Sequence, residues 1–156
     1  MSHEILLFLH VIGACVLLGT GAGIAFFMVV SNRSQNPALI AHTAGIVVLA
    51  DTVFTATAAI AQPITGFFLA RSAGWPLLEG WVAVALVLYV VVGAFWLPVV
   101  GIQLKMRALA QKALDAGTPL PYAYQRLFRI WLACGIPAFA AVLVILWLMI
   151  TKPGLS

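Results

Sequence analysis

Residues 79–103 read EGWVAVALVLYVVVGAFWLPVVGIQ, and after Glu79 the stretch carries no charge. A helix of this length rises at about 1.5 Å per residue and crosses a hydrocarbon core of about 30 Å. No surface strand or loop tolerates such a run, so it reads as a membrane span. Three further stretches qualify, at about 5–30, 38–70 and 129–151. The chain is therefore expected to be all-α, one integral membrane four-helix bundle forming a single domain over residues 1–156.

Composition points the same way. Of the residues 64% are hydrophobic and 8% charged, with a mean hydropathy of +1.14. A soluble domain is about a quarter charged, and a chain this small cannot enclose so much apolar surface in its own core. The net charge of +4 does not imply nucleic acid, because the basic residues flank apolar spans. There they suit topology control and anionic headgroups. Cys15 and Cys134 lie inside apolar stretches and form neither a disulfide framework nor a metal motif. The first span is too long and too glycine-rich for a signal peptide and has no basic region before it.

Asn36-Pro37 separates the first two spans, and Ala73-Gly74-Trp75-Pro76 the next two. The third connection, 104–125, is the longest; helix three is expected to run on to about Ala116 before turning at 117–121. Arg33, Lys105, Arg107, Lys112, Arg126 and Arg129 fall on one side, Arg71 and Lys152 on the other. The positive-inside rule then places both termini on the extracytoplasmic side.

Ionisable groups at membrane depth are costly and mark candidate sites. His10 lies about one and a half turns into the first span, on a face continuing through Gly13, Ala14, Leu17 and Gly21. Small residues there admit a flat group or another backbone. A neutral imidazole beside them suits an axial ligand for haem iron, or a hydrogen bond across the bundle. In the second span Asp51, Thr55, Gln62 and Thr65 fall at offsets of 4, 11 and 14 residues, within one narrow stripe. Such a stripe must face helices or water. It reads as a proton relay, a polar ligand contact or interhelical glue. At the bilayer middle Asp51 is expected to be protonated, tightly hydrogen-bonded or paired with a cation. Pro63 frees a carbonyl one turn earlier and is expected to kink the helix.

His42 lies half a circle from Asp51 and near the opposite membrane face from His10, which excludes a haem clamped by both. His3 precedes the span. Trp75, Trp81, Trp96, Trp131 and Trp147 fall mostly near span ends, as interfacial anchors do. Trp81, at the depth of His10, is also a candidate for lining a cofactor pocket. Arg126 and Arg129 suit lipid phosphates. Gly135 and Pro137 are expected to bend the last helix. No phosphate loop, zinc spacing or nucleophile elbow is present in the sequence.

The segments Leu9-His10-Val11-Ile12-Gly13, 50–55 with 62–66, and 148–153 resemble an uncharacterised bacterial family of predicted integral membrane proteins, domain of unknown function 2269. More distantly, the Leu-His-Val-Ile opening, Glu79-Gly80-Trp81 and the terminal Lys-Pro resemble HemJ-type haem-dependent protoporphyrinogen oxidases. The first-helix histidine also resembles that of copper-resistance protein D-type membrane proteins. This resemblance implies haem b at His10, with a quinone or porphyrin-like partner. It does not extend to the lysine those oxidases carry after the Gly-Trp pair, where this chain has Val82-Ala83-Val84-Ala85. Oxidase activity is accordingly in doubt. The alternative is a non-enzymatic ligand-binding, transport-accessory or assembly module, or a homo-oligomer, using the Asp51 stripe.

Overall fold

A computed structural model describes residues 2–154. Five α-helical segments make four rods: α1 (His3–Arg33), α2 (Pro37–Ala50), α3 (Ala56–Ala73), α4 (Gly80–Asp115) and α5 (Tyr122–Thr151). A π-helical turn, Asp51–Thr55, joins α2 to α3 in one continuous rod. All four rods are long and apolar enough to cross a membrane.

The ends of the rods follow from local chemistry. The Asn36 side chain accepts from the backbone N–H groups of Ala38 and Leu39, and Pro37 occupies the first turn, so α2 restarts at once. Gly117 adopts φ +63°, and the Thr118 N–H returns to the Ala113 carbonyl at 2.9 Å, closing α4. α5 begins at Tyr122, ahead of the apolar stretch, with Pro121 as its N-cap. Its first two turns therefore carry Arg126 and Arg129 as exposed helical residues.

The chain ends and the α3–α4 connection share one end of the bundle. There the His3 ring bonds the Ser72 hydroxyl at 2.9 Å, and the Lys152 ammonium sits 4.5 Å above the Trp75 ring. At the other, basic end the Gln125 amide donates to Gln35 on the α1–α2 turn at 2.8 Å.

The core is concentrated toward the basic end. Met28 of α1, Ile40 and Ala44 of α2, Met106 and Ala110 of α4, and Tyr124 of α5 are all fully buried there. α2 packs on both α1 and α4, and α5 packs along α4. Beyond the π turn the second rod changes partners: the principal neighbour of α3 is α1. Toward the terminal end the bundle is thus organised as two pairs, α1 with α3 and α4 with α5. The smaller cluster of Ala85, Ile145 and Leu148 belongs to the second pair.

Lipid is as apolar as the side chains, so association rests on close packing and internal hydrogen bonds rather than on exclusion from water. Ala44→Leu inserts three heavy atoms where none fits and is expected to cost about 1–3 kcal/mol. Leu49→Ala, at a lipid-facing position, is expected to stay within about 0.5 kcal/mol. Denaturant titration in detergent micelles distinguishes the two outcomes.

Candidate functional site

The polar residues of α1 and α3 form one seam. Gln62 donates from its amide nitrogen to the His10 backbone carbonyl at 2.8 Å. It reaches that carbonyl because residue 13 is glycine: a Cβ there would stand 2.9 Å from the Gln62 amide nitrogen. Gly66 plays the reciprocal part on α3, since a Cβ there would stand 3.2 Å from His10 Cε1. Small residues on each helix therefore seat a polar side chain from the other, and His10 is only 8% exposed.

The tautomer of His10 is coupled to the Thr65 hydroxyl. Thr65 Oγ1 lies 2.8 Å from the Ala61 carbonyl and 3.2 Å from that of Gln62. A carbonyl only accepts, so where the single hydroxyl proton goes to either of them the ring must donate to Thr65. The 2.8 Å contact between His10 Nδ1 and Thr65 Oγ1 is then donated by the imidazole. That tautomer carries its proton on Nδ1 and a lone pair on Nε2. Among the described residues Nε2 has no hydrogen-bond partner.

Deeper along the rod, Asp51 and Thr55 flank the π turn, one at each end, and both are buried. Asp51 Oδ1 receives one long hydrogen bond, 3.5 Å from the Trp96 indole nitrogen of α4, rather than a cation. The buried Thr55 hydroxyl has no partner among the described residues. Pro63 has no N–H for the Ala59 carbonyl four residues before it. The Tyr89 hydroxyl of α4 donates to that carbonyl instead, tying α3 to the other pair.

All four residues of the second-rod stripe face inward: Asp51, Thr55 and Gln62 are buried and Thr65 is half-buried. Gly13 meets Gln62, and Trp81 stacks edge-on against Trp75 and packs on the α4–α5 pair. His10 and Gly13 therefore meet at Gln62 on the α1–α3 seam, while Trp81 packs on the other pair. His42 is exposed near the basic end, away from the seam. Trp96 and Trp131 are not interfacial anchors, since the first serves Asp51 and the second is buried against Phe128. The partner roles of Trp96 and Tyr89 had no signal in the sequence beyond a polar atom on an apolar helix. No cluster of three metal-ligating side chains occurs among the described residues.

The family model for a predicted integral membrane protein, DUF2269, matches residues 4–153. The chain belongs to the DUF2269 family. That match spans all four rods, so the seam and the π turn both lie within the DUF2269 region. No curated protein and no solved structure matches the chain.

The glycine and the glutamine act as one unit in this account. Gly13→Ala is expected to displace the Gln62 amide and lose the bond to His10, at about 1 kcal/mol. Gln62→Ala should relieve that clash, so the double variant should fall short of the sum by at least about 0.5 kcal/mol. A double-mutant cycle of unfolding free energies measures the difference.

Proposed function

We propose that this DUF2269 protein binds b-type haem through His10 and exchanges electrons with a quinone or porphyrin-like partner in the membrane. The observation that carries this reading is the Thr65 contact on His10 Nδ1, which leaves Nε2 without a hydrogen-bond partner among the described residues. Metal-ligating histidines have their second nitrogen anchored in this way, which fixes both tautomer and ring direction. An imidazole nitrogen left unpartnered at membrane depth is costly, which gives an incoming ligand a favourable role.

The donor chemistry therefore fits an axial ligand. His10 would hold the group, Thr65 would orient the ring, and Gly13 would contribute indirectly by seating Gln62. Bound haem would supply one-electron exchange. The residues of the chain would do the rest: the Gln62–His10 bond keeps α1 and α3 in register, and Asp51 and Thr55 offer hydrogen-bonding groups where a proton or a polar substrate edge is held.

A second reading has its own support in the unspent hydrogen-bonding capacity at the π turn. Among the described residues Asp51 has one long bond and Thr55 none, and π turns inside α-helices are frequent at functional sites. In that reading the protein is a non-enzymatic membrane module, and this pair takes the polar end of a ligand or joins a second copy of the chain.

The visible absorption spectrum of the purified protein separates the two. A Soret band is expected in the wild type and lost in His10→Ala. Thr65→Val should retain the ligand but bind haem about tenfold more weakly. A colourless protein that takes up no haem on reconstitution overturns the first reading. Dimerisation or ligand retention abolished by Asp51→Leu, with no cofactor involved, would carry the second.

We also propose that both termini lie on the extracytoplasmic side of a bacterial inner membrane, because Arg33, Lys105, Arg107, Lys112, Arg126 and Arg129 all belong to the opposite end. Single cysteines placed at Ser2 and at Thr118 test it. The first should react with an impermeant maleimide in intact cells and the second should not.

A further inference from the structure

At the basic end an open groove of about 400 Å³ runs between α2 and α4. Its inner end is apolar, formed by Ile46 and Leu49, which are 54% and 63% exposed. Toward the end of the bundle it becomes polar, with His42 on α2 and Arg107 and Gln111 on α4. Gly45 forms part of its floor: a Cβ added there would stand 3.5 Å from the Arg107 Nε and 3.6 Å from Cζ. The guanidinium thus lies across a glycine, against the α2 backbone.

Among the described residues no carboxylate pairs with this guanidinium. Glu4 and Glu79 belong to the terminal end of the bundle, and Asp51 is bonded to Trp96. Asp115 receives the Gln111 amide at 2.8 Å. Arg107 is therefore an exposed cation lying against α2, in a groove whose other end is apolar.

We propose that this groove binds one anionic phospholipid, its phosphate on Arg107 with His42 alongside, and its acyl chain over Ile46 and Leu49. The guanidinium fork matches phosphate oxygens in geometry as well as charge. The apolar continuation selects a lipid over a free anion. This assignment is independent of haem and of the Asp51 pair, because neither His10 nor the π turn lines the groove.

Native mass spectrometry of the detergent-purified chain, titrated with dioleoyl phosphatidylglycerol or dioleoyl phosphatidylcholine, tests it. One saturable phosphatidylglycerol is expected, retained in preference to phosphatidylcholine. Arg107→Gln should weaken that retention at least about fivefold, the contribution of one basic residue near a membrane surface. Gly45→Leu, which fills the floor and keeps every charge, should weaken it similarly. Lys112→Gln, which removes a charge outside the groove, should leave it nearly unchanged. Equal retention of the two lipids would overturn the assignment. So would wild-type binding in both groove variants, or losses as large in Lys112→Gln. Displacement of the lipid by millimolar inorganic phosphate would identify a simple anion site and overturn it as well.

Discussion

Within a hydrocarbon core no water is at hand to satisfy a polar group, so each one removed from its usual partner must find another inside the protein. The second rod raises that demand twice. Pro63 leaves the Ala59 carbonyl without its helical donor, and the π turn over Asp51–Thr55 resets the phase of the backbone bonds. The Tyr89 hydroxyl answers the first and the Trp96 indole reaches Asp51 at the second. Both partners come from α4, at the level where the second rod passes from α4 to α1. The polar bridges are therefore concentrated where the apolar packing changes hands.

The same constraint explains the α1–α3 seam. The His10 ring and the Gln62 amide are each seated on a glycine of the opposite helix, so their polar atoms meet partners instead of lipid. Thr65 closes the sequence of bonds, within reach of the His10 ring and of two carbonyls of its own helix. One nitrogen, His10 Nε2, is left over. In a protein whose other seam atoms are matched, that remainder is the basis for a ligand at this position.

Much of this was legible in the residues. Length and apolarity located the four rods, and the offsets of Asp51, Thr55, Gln62 and Thr65 marked the inward face of the second. The small residues after His10 announced a close approach. Spacing could not say by what, and the occupant at Gly13 is the Gln62 amide of the neighbouring helix. Hydropathy is blind to which helices pair, so the assignment of Trp81 to α4–α5 and of His10 to α1–α3 lay beyond it. Tryptophans near span ends read as interfacial anchors, yet the Trp96 indole reaches Asp51 and Trp131 is buried against Phe128. The π turn had no sequence signal at all: it depends on how two packed halves of one rod meet different neighbours.

The account rests most directly on the tautomer of one ring. Solid-state ¹⁵N resonances of His10, recorded on haem-free protein in bilayers and assigned by comparison with His10→Ala, read it without reference to any cofactor. The prediction is a protonated Nδ1 and an unprotonated Nε2, with the Nδ1 signal perturbed in Thr65→Val. A proton found on Nε2 would contradict it, because Thr65 would then be donating to the ring and no nitrogen would be left to bind a metal.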